Sequence, residues 1–343
     1  MRSLFLSWVI EITKKCISLA NPVTKDLISC LNINRSTYML TVNHITKQYA
    51  QHKALDDVSI QIEKGSIFGL LGPNGAGKTS LIRIITQITA PDTGHIEFNS
   101  EPLAPKHIGQ IGYLPEERGL YKKMKVGDQL LYLAQLKGLE KEEAKRQIRH
   151  WFEKMDMRSW WDKKVEDLSK GMQQKVQFVA TVIHQPVLLI LDEPFSGFDP
   201  VNVDTIKREI LELNQSGTTI IFSTHRMESV EELCDHIALI NKSRKILDGK
   251  LDQIKNNYRE NKFSVTYFGQ QNLPENNLFI VENEKVNQGT TTLTIRIREG
   301  ITINDVLSFL IPLVPIQGLK EIIPSIHDIF VREVTKQVSS LAL

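Results

Sequence analysis

Through the middle of the chain, short apolar runs alternate with longer stretches of helical character. Leu40–Tyr49 and Val58–Ile62 alternate apolar with polar residues, the period of half-buried strands. Ile67–Leu71, Val187–Leu191 and Thr219–Phe222 are continuous apolar runs, which read as strands buried on both faces. Leu81, Ile84, Ile85 and Ile88 recur at helical spacing after the first of these runs, and Pro91 with Gly94 marks the end of that helix. Between about Leu120 and Gln185 the chain is charge-rich and helical. The alternation predicts an α/β core with a mostly parallel sheet, carrying a helical insertion at about residues 120–185.

Both ends read differently. Residues 1–38 open on a short apolar stretch (Leu4, Phe5, Leu6, Trp8, Val9, Ile10) and continue in mixed polar sequence. No small-residue cleavage site follows it, which argues against a signal peptide. A short interfacial helix is a second reading. The preferred one is an N-terminal extension that is disordered or untranslated, with translation starting at Met39. At the other end, Asn256, Asn257 and Asn261 read as a linker between a domain at 39–255 and a smaller one at 256–343. Strands at Phe263–Phe268, Leu278–Val281 and Thr291–Ile297, a helix at Asn304–Ile311 stopped by Pro312, and a closing segment Ile322–Val331 predict a small α+β domain. It carries no catalytic constellation.

Composition narrows the class. A chain of 343 residues, 41% hydrophobic, supports one large globular domain or two. The net charge of +2 provides no broad field for nucleic acid, so no nucleic-acid partner is expected. Cys16, Cys30 and Cys234 lack C-x-x-C spacing, which fits a reducing compartment. No run reaches the roughly 20 apolar residues that a spanning helix needs. If the chain powers transport, the channel is another polypeptide.

The chemistry concentrates in Gly72-Pro73-Asn74-Gly75-Ala76-Gly77-Lys78-Thr79, followed by Ser80. This is the G-x-x-x-x-G-K-[ST] pattern, in the strand–loop–helix setting it requires. The glycines let backbone N–H groups close on the phosphates of a nucleotide, and the helix that follows points its positive end at them. Lys78 adds a point charge and Thr79 a hydroxyl for Mg²⁺. Asp192 and Glu193 follow the strand Val187–Leu191. Asp192 is placed to hold the metal through water, and Glu193 to orient and deprotonate an attacking water. Ser169, in Leu168-Ser169-Lys170-Gly171-Met172-Gln173, is a candidate cap for a helix with Met172, Val176, Val179 and Ile183 on its buried face.

These segments together resemble the nucleotide-binding domain of ATP-binding cassette (ABC) ATPases over about Leu40–Leu251. Lys170 and Met172 depart from the usual L-S-G-G-Q form of the signature. The resemblance implies a P-loop NTPase cassette with an antiparallel β subdomain, using ATP and Mg²⁺. It implies that Ser169 and Gly171 meet the γ-phosphate bound on an opposite protomer. Asp199, in Ser196-Gly197-Phe198-Asp199-Pro200, falls in a segment similar to the D-loop, His225 matches the switch histidine, and Tyr49 matches the residue that stacks on adenine. In Ile111–Arg118, Glu116 stands where the family usually has glutamine, and a carboxylate there can still ligand Mg²⁺ or its water.

The function implied is an ATP-hydrolysing subunit that drives a separate polytopic permease through ATP-dependent closure of a homo- or heterodimer. Its implied place is cytoplasmic, peripheral on the inner face of the cell membrane. Leu114–Tyr121 and the C-terminal Pro324–Phe330 make it similar to the sodium-efflux and drug-resistance exporter branch. In the family the helical insertion and the Glu116 loop grip the permease. Leu130, Leu131, Leu133, Ala134, Trp160 and Trp161 are apolar enough to contribute, although core positions suit most of them better. The competing reading is a soluble ABC ATPase acting on ribosomes, nucleic acid or a protein assembly. A single cassette, no long coiled coil and weak basic patches argue against it.

Overall fold

A computed structural model describes residues 37–117, 119–196, 200–271 and 273–341. The expectations for residues 1–36 and for Asp199 lie outside the described residues. β1 (Tyr38–Tyr49), β2 (His52–Glu63), β4 (Thr93–Phe98) and β5 (Glu101–Pro102) form one sheet in the order β2-β1-β4-β5. β1 and β4 run antiparallel, with Leu40 opposite Phe98 and Val42 opposite Ile96. The alternation puts Leu40, Val42, Val58 and Ile60 on one face, where they share a core with Leu81, Ile82 and Ile85 of α1 (Lys78–Ile85).

That helix stops earlier than its periodicity suggests. Thr86 donates its N–H to Ile82 O at 2.9 Å, Gln87 turns left-handed at φ 57°, and Ile88 is 63% exposed. Apolar spacing continues past the point where the backbone leaves the helix.

The central sheet has the order β10-β9-β3-β8-β7-β6. It contains β3 (Ile67–Leu71), β6 (Ile111–Leu114), β7 (Leu188–Asp192), β8 (Thr219–Thr224), β9 (His236–Asn241) and β10 (Arg244–Lys250). β3, β6, β7, β8 and β9 are parallel, and only β10 runs against its neighbour. Strand ends that all point one way bring the loops after β3, β6, β7 and β8 to a single edge.

The other face of this sheet carries α2 (Val126–Leu136), α3 (Lys141–Lys154), α4 (Lys170–Val182), α5 (Pro200–Gln215) and α6 (Met227–Leu233). Leu130 and Ala134 are fully buried, while Leu131, Leu133, Trp160 and Trp161 are half-buried. They are mainly core side chains, and a Cβ on Gly127 would meet the Trp161 ring at 2.5 Å. Ser169 caps α4 by accepting the Met172 N–H at 3.3 Å. The buried side of α4 is broader than the expected stripe, because Phe178 and Val182 join Val176, Val179 and Ile183, while Met172 is only half-buried.

Asn256 and Asn257 are not linker. They end α7 (Leu251–Asn257), a helix held by the burial of Leu251 and Ile254. A third, wholly antiparallel sheet then forms in the order β12-β13-β11-β14 from β11 (Lys262–Phe268), β12 (Phe279–Asn287), β13 (Thr290–Ile297) and β14 (Ile316–Glu321). Val265, Tyr267, Leu293 and Ile295 on one of its faces pack against Val306 and Leu310 of α8 (Ile303–Leu310). Thr302 and Asp305 close a reciprocal cap at the start of α8. α9 (Ile326–Leu341) completes the fold, so the closing segment read from sequence straddles its start. Among the described residues no helix is long and apolar enough to cross a membrane.

Candidate active site

β3 delivers the chain into the glycine loop, whose curvature two contacts explain. A Cβ on Gly72 (φ 148°) would lie 2.1 Å from Ile240 O, and one on Gly77 (φ 117°) would lie 2.3 Å from Ala54 O. Any side chain at either position would force the loop off its neighbours. Ala76 O accepts the Ser243 N–H at 3.1 Å, fastening the loop from outside.

Lys78 opens α1 and reaches back across the loop, donating to Gly72 O at 2.8 Å and Pro73 O at 3.2 Å. It is only 6% exposed. Burial pulls its pKa down, and the carboxylates of Glu193, Asp192 and Glu116 oppose that pull.

The two acidic residues after β7 are held by the end of β8. Asp192 accepts from Ser223 Oγ at 2.8 Å and from Thr79 Oγ1 at 3.3 Å. Burial raises its pKa, against those two hydrogen bonds and the charge of Lys78. Glu193 sits at φ 49°, a left-handed conformation that costs a non-glycine residue on the order of 1 kcal/mol. Its surroundings fix it there. Its N–H donates to Ser223 O at 2.9 Å, and its carboxylate accepts from Thr224 Oγ1 at 3.0 Å and from the His225 backbone N–H at 2.8 Å. The His225 ring Nδ1 lies 2.6 Å from the same carboxylate, while the His225 side chain remains 49% exposed.

Tyr49, Asn74, Gly75, Gly77, Lys78, Thr79, Ser80, Glu116, Asp192 and Glu193 line one cleft of about 270 Å³. Gly72, Pro73 and Ala76 form the loop behind it, and His225 joins through Glu193. Ser169 and Gly171 do not line the cleft, and Ser169 is exposed at the start of α4. Gln177 of α4 donates to Pro115 O at 3.3 Å and Glu117 O at 3.1 Å, bracketing Glu116.

Sequence reasoning missed His52 and Ala54, which also line the cleft, because no motif marks them. It also missed what Ser223 and Thr224 do. Their signal was two hydroxyl residues ending an otherwise apolar strand. Tyr113, whose phenol is pushed up to about 12 by burial and by Asp192, was not singled out either.

A buried ammonium inside a loop of backbone donors, facing two fixed carboxylates, defines a nucleoside-triphosphate site on a parallel α/β sheet. Residues 55–196 match the family described as ABC transporter, and residues 249–334 match the C-terminal domain of ATP-binding protein DrrA1-3-like. The chain is 43% identical over 302 residues to an uncharacterized ABC transporter ATP-binding protein, YhaQ, of Bacillus subtilis (strain 168), covering 86% of this chain and 98% of that one. It is 34% identical over 217 residues to the Nod factor export ATP-binding protein I of Cupriavidus metallidurans, covering 62% of this chain and 72% of that protein. A solved structure described as the ATP binding subunit of an ABC transporter aligns with a TM-score of 0.61 at 30% identity, over 64% of this chain and 93% of that one. The chain belongs to the ABC transporter ATP-binding proteins, whose cassettes bind ATP and couple its hydrolysis to transport.

Proposed function

We propose that this protein is the ATP-hydrolysing subunit of an exporter, paired head to tail with a second ATP-binding protomer beneath a separate polytopic permease at the cytoplasmic face of the membrane. The observation that carries this reading is the division of the site. Lys78, Thr79, Asp192 and Glu193 converge on one cleft, whereas Ser169 and Gly171 stand apart from it on α4. A partner's α4 then supplies the missing donors. The export named for the Cupriavidus relative supports the direction of transport. In this reading residues 39–255 are the ATP-binding domain and 256–343 an accessory domain.

Backbone N–H groups of residues 74–80 wrap the β- and γ-phosphates, and Lys78 neutralises them. Tyr49, 40% exposed at the end of β1, offers its ring to the adenine. Thr79 Oγ1 and Asp192 form an oxygen pair 3.3 Å apart, and Glu116 lies in the same cleft, a donor set suited to Mg²⁺. Among the described residues no group of three or more His, Cys, Asp or Glu is placed to hold a metal ion by itself, so the remaining ligands of a bound Mg²⁺ would come from phosphate and water. Held there by Thr79 and Asp192, such an ion would neutralise charge on the phosphate oxygens. Glu193 accepts the proton of the attacking water, and His225 fixes the orientation of that carboxylate while its exposed edge faces the γ-phosphate. Asp199 is proposed for the protomer interface.

Two measurements test this. Glu193→Gln with ATP and Mg²⁺ is expected to sediment at about twice the 39.1 kDa of one chain, because a site that binds without hydrolysing stays closed. A monomer that turns over ATP normally would refute both the base and the paired site. Glu116→Gln is expected to retain ATP turnover within about tenfold, since an amide oxygen is also a hard ligand. Complete loss would show that the carboxylate is essential.

A further inference from the structure

We propose that Glu231 is a positioning residue for hydrolysis, tying the C-terminal helix α9 to the helix that follows His225. The proposal rests on the reading that His225 orients Glu193.

α6 starts at Met227, with Arg226 as its N-cap, so only that one residue separates it from His225. Its inner side chains Met227, Val230 and Leu233 share a buried core with Ile326 and Ile329 of α9 and with Leu251 and Ile254 of α7. At the start of α9, Ser325 and Asp328 satisfy one another. Asp328 accepts the Ser325 N–H at 3.0 Å, and Ser325 Oγ accepts the Asp328 N–H at 3.1 Å. The Ile326 N–H has no partner within its own helix, as expected for a first-turn donor, and Ile326 is buried. Glu231, 95 residues away in sequence, accepts a hydrogen bond from that N–H on Oε1 at 2.6 Å. Its other oxygen binds the Lys255 ammonium of α7.

One carboxylate on α6 therefore anchors it to both α7 and α9. A carboxylate at a helix N-terminus is favoured by the helix dipole, which adds to the direct hydrogen bond. This anchor is rooted outside the nucleotide cleft, yet α6 begins only two residues after His225, whose ring makes the 2.6 Å contact with Glu193. Releasing α6 loosens that contact without touching the phosphate loop.

The test is ATP hydrolysis by the full chain, with kcat and KM measured separately. Glu231→Ala is expected to lower kcat about three- to tenfold and leave KM for ATP unchanged. Glu231→Gln keeps the oxygen that accepts the Ile326 N–H and is expected to restore most of kcat. Ile329→Ala, which weakens the apolar half of the same contact, is expected to give the same kcat-selective loss. In a His225→Ala background, Glu231→Ala is expected to cost nothing more. An unchanged kcat in both Glu231→Ala and Ile329→Ala, or an undiminished loss in the His225→Ala background, would overturn the proposal. Absence of hydrolysis by the unmodified chain would instead overturn the wider reading of the protein as an ATPase subunit.

Discussion

Replacing Glu193 with glutamine is expected to lower single-turnover ATP hydrolysis by about 10²- to 10⁴-fold, the range contributed by a positioned general base. The substitution removes basicity and little else. Glutamine keeps an oxygen for the His225 backbone N–H, now 2.8 Å from Oε1, and the Thr224 hydroxyl, now 3.0 Å from Oε2, can rotate to accept from the new amide. The left-handed turn at residue 193 also survives, because its N–H still reaches Ser223 O. ATP binding is therefore retained. Quench-flow hydrolysis beside equilibrium ATP binding separates the two, and turnover within about threefold of the parent would remove Glu193 from the role of base.

Lys78→Met is expected to weaken ATP binding at least about 30-fold, equivalent to losing roughly 2 kcal/mol of charge-assisted contact. Methionine preserves much of the apolar stem but not the ammonium that now spans Gly72 O and Pro73 O. The loss also removes the cation facing Glu193, Asp192 and Glu116. Lys78 now helps hold the Asp192 pKa down against burial, so its removal lets that pKa rise further. Triphosphate charge would then enter a cleft with no other Lys or Arg among its described lining residues. Calorimetric titration with ATP, with circular dichroism to confirm folding, measures the effect. Unchanged affinity would mean that the backbone donors alone bind the nucleotide.

Much of this site is legible in the amino-acid sequence. The Gly72–Thr79 spacing, the apolar runs before it and before Asp192, and the helical spacing after it specify strand, loop and helix by local rules. The parallel sheet follows from their alternation. What escapes depends on contacts remote in sequence or on backbone conformations without a compositional mark. Gln87 ends α1 at a positive φ that a glutamine does not advertise. β6 is four residues long and β14 has a glycine near its middle, so neither shows a clear period. Asn256 and Asn257 resemble linker because composition outweighs the two buried residues, Leu251 and Ile254, that make α7 a helix. In the site itself, the 2.6 Å pairing of His225 with Glu193 joins residues 32 apart, and the Glu231 anchor joins residues 95 apart. Motif spacing identifies the parts of such pairs but not their contact.

Affinity purification of Glu193→Gln from detergent-solubilised native membranes, in ATP and Mg²⁺, tests the central claim most directly. The closed, hydrolysis-deficient form is expected to bring down a polytopic membrane protein in defined stoichiometry. Recovery of ribosomes, nucleic acid or soluble proteins alone, with no membrane chain, would contradict the account and identify the protein as a soluble ABC ATPase.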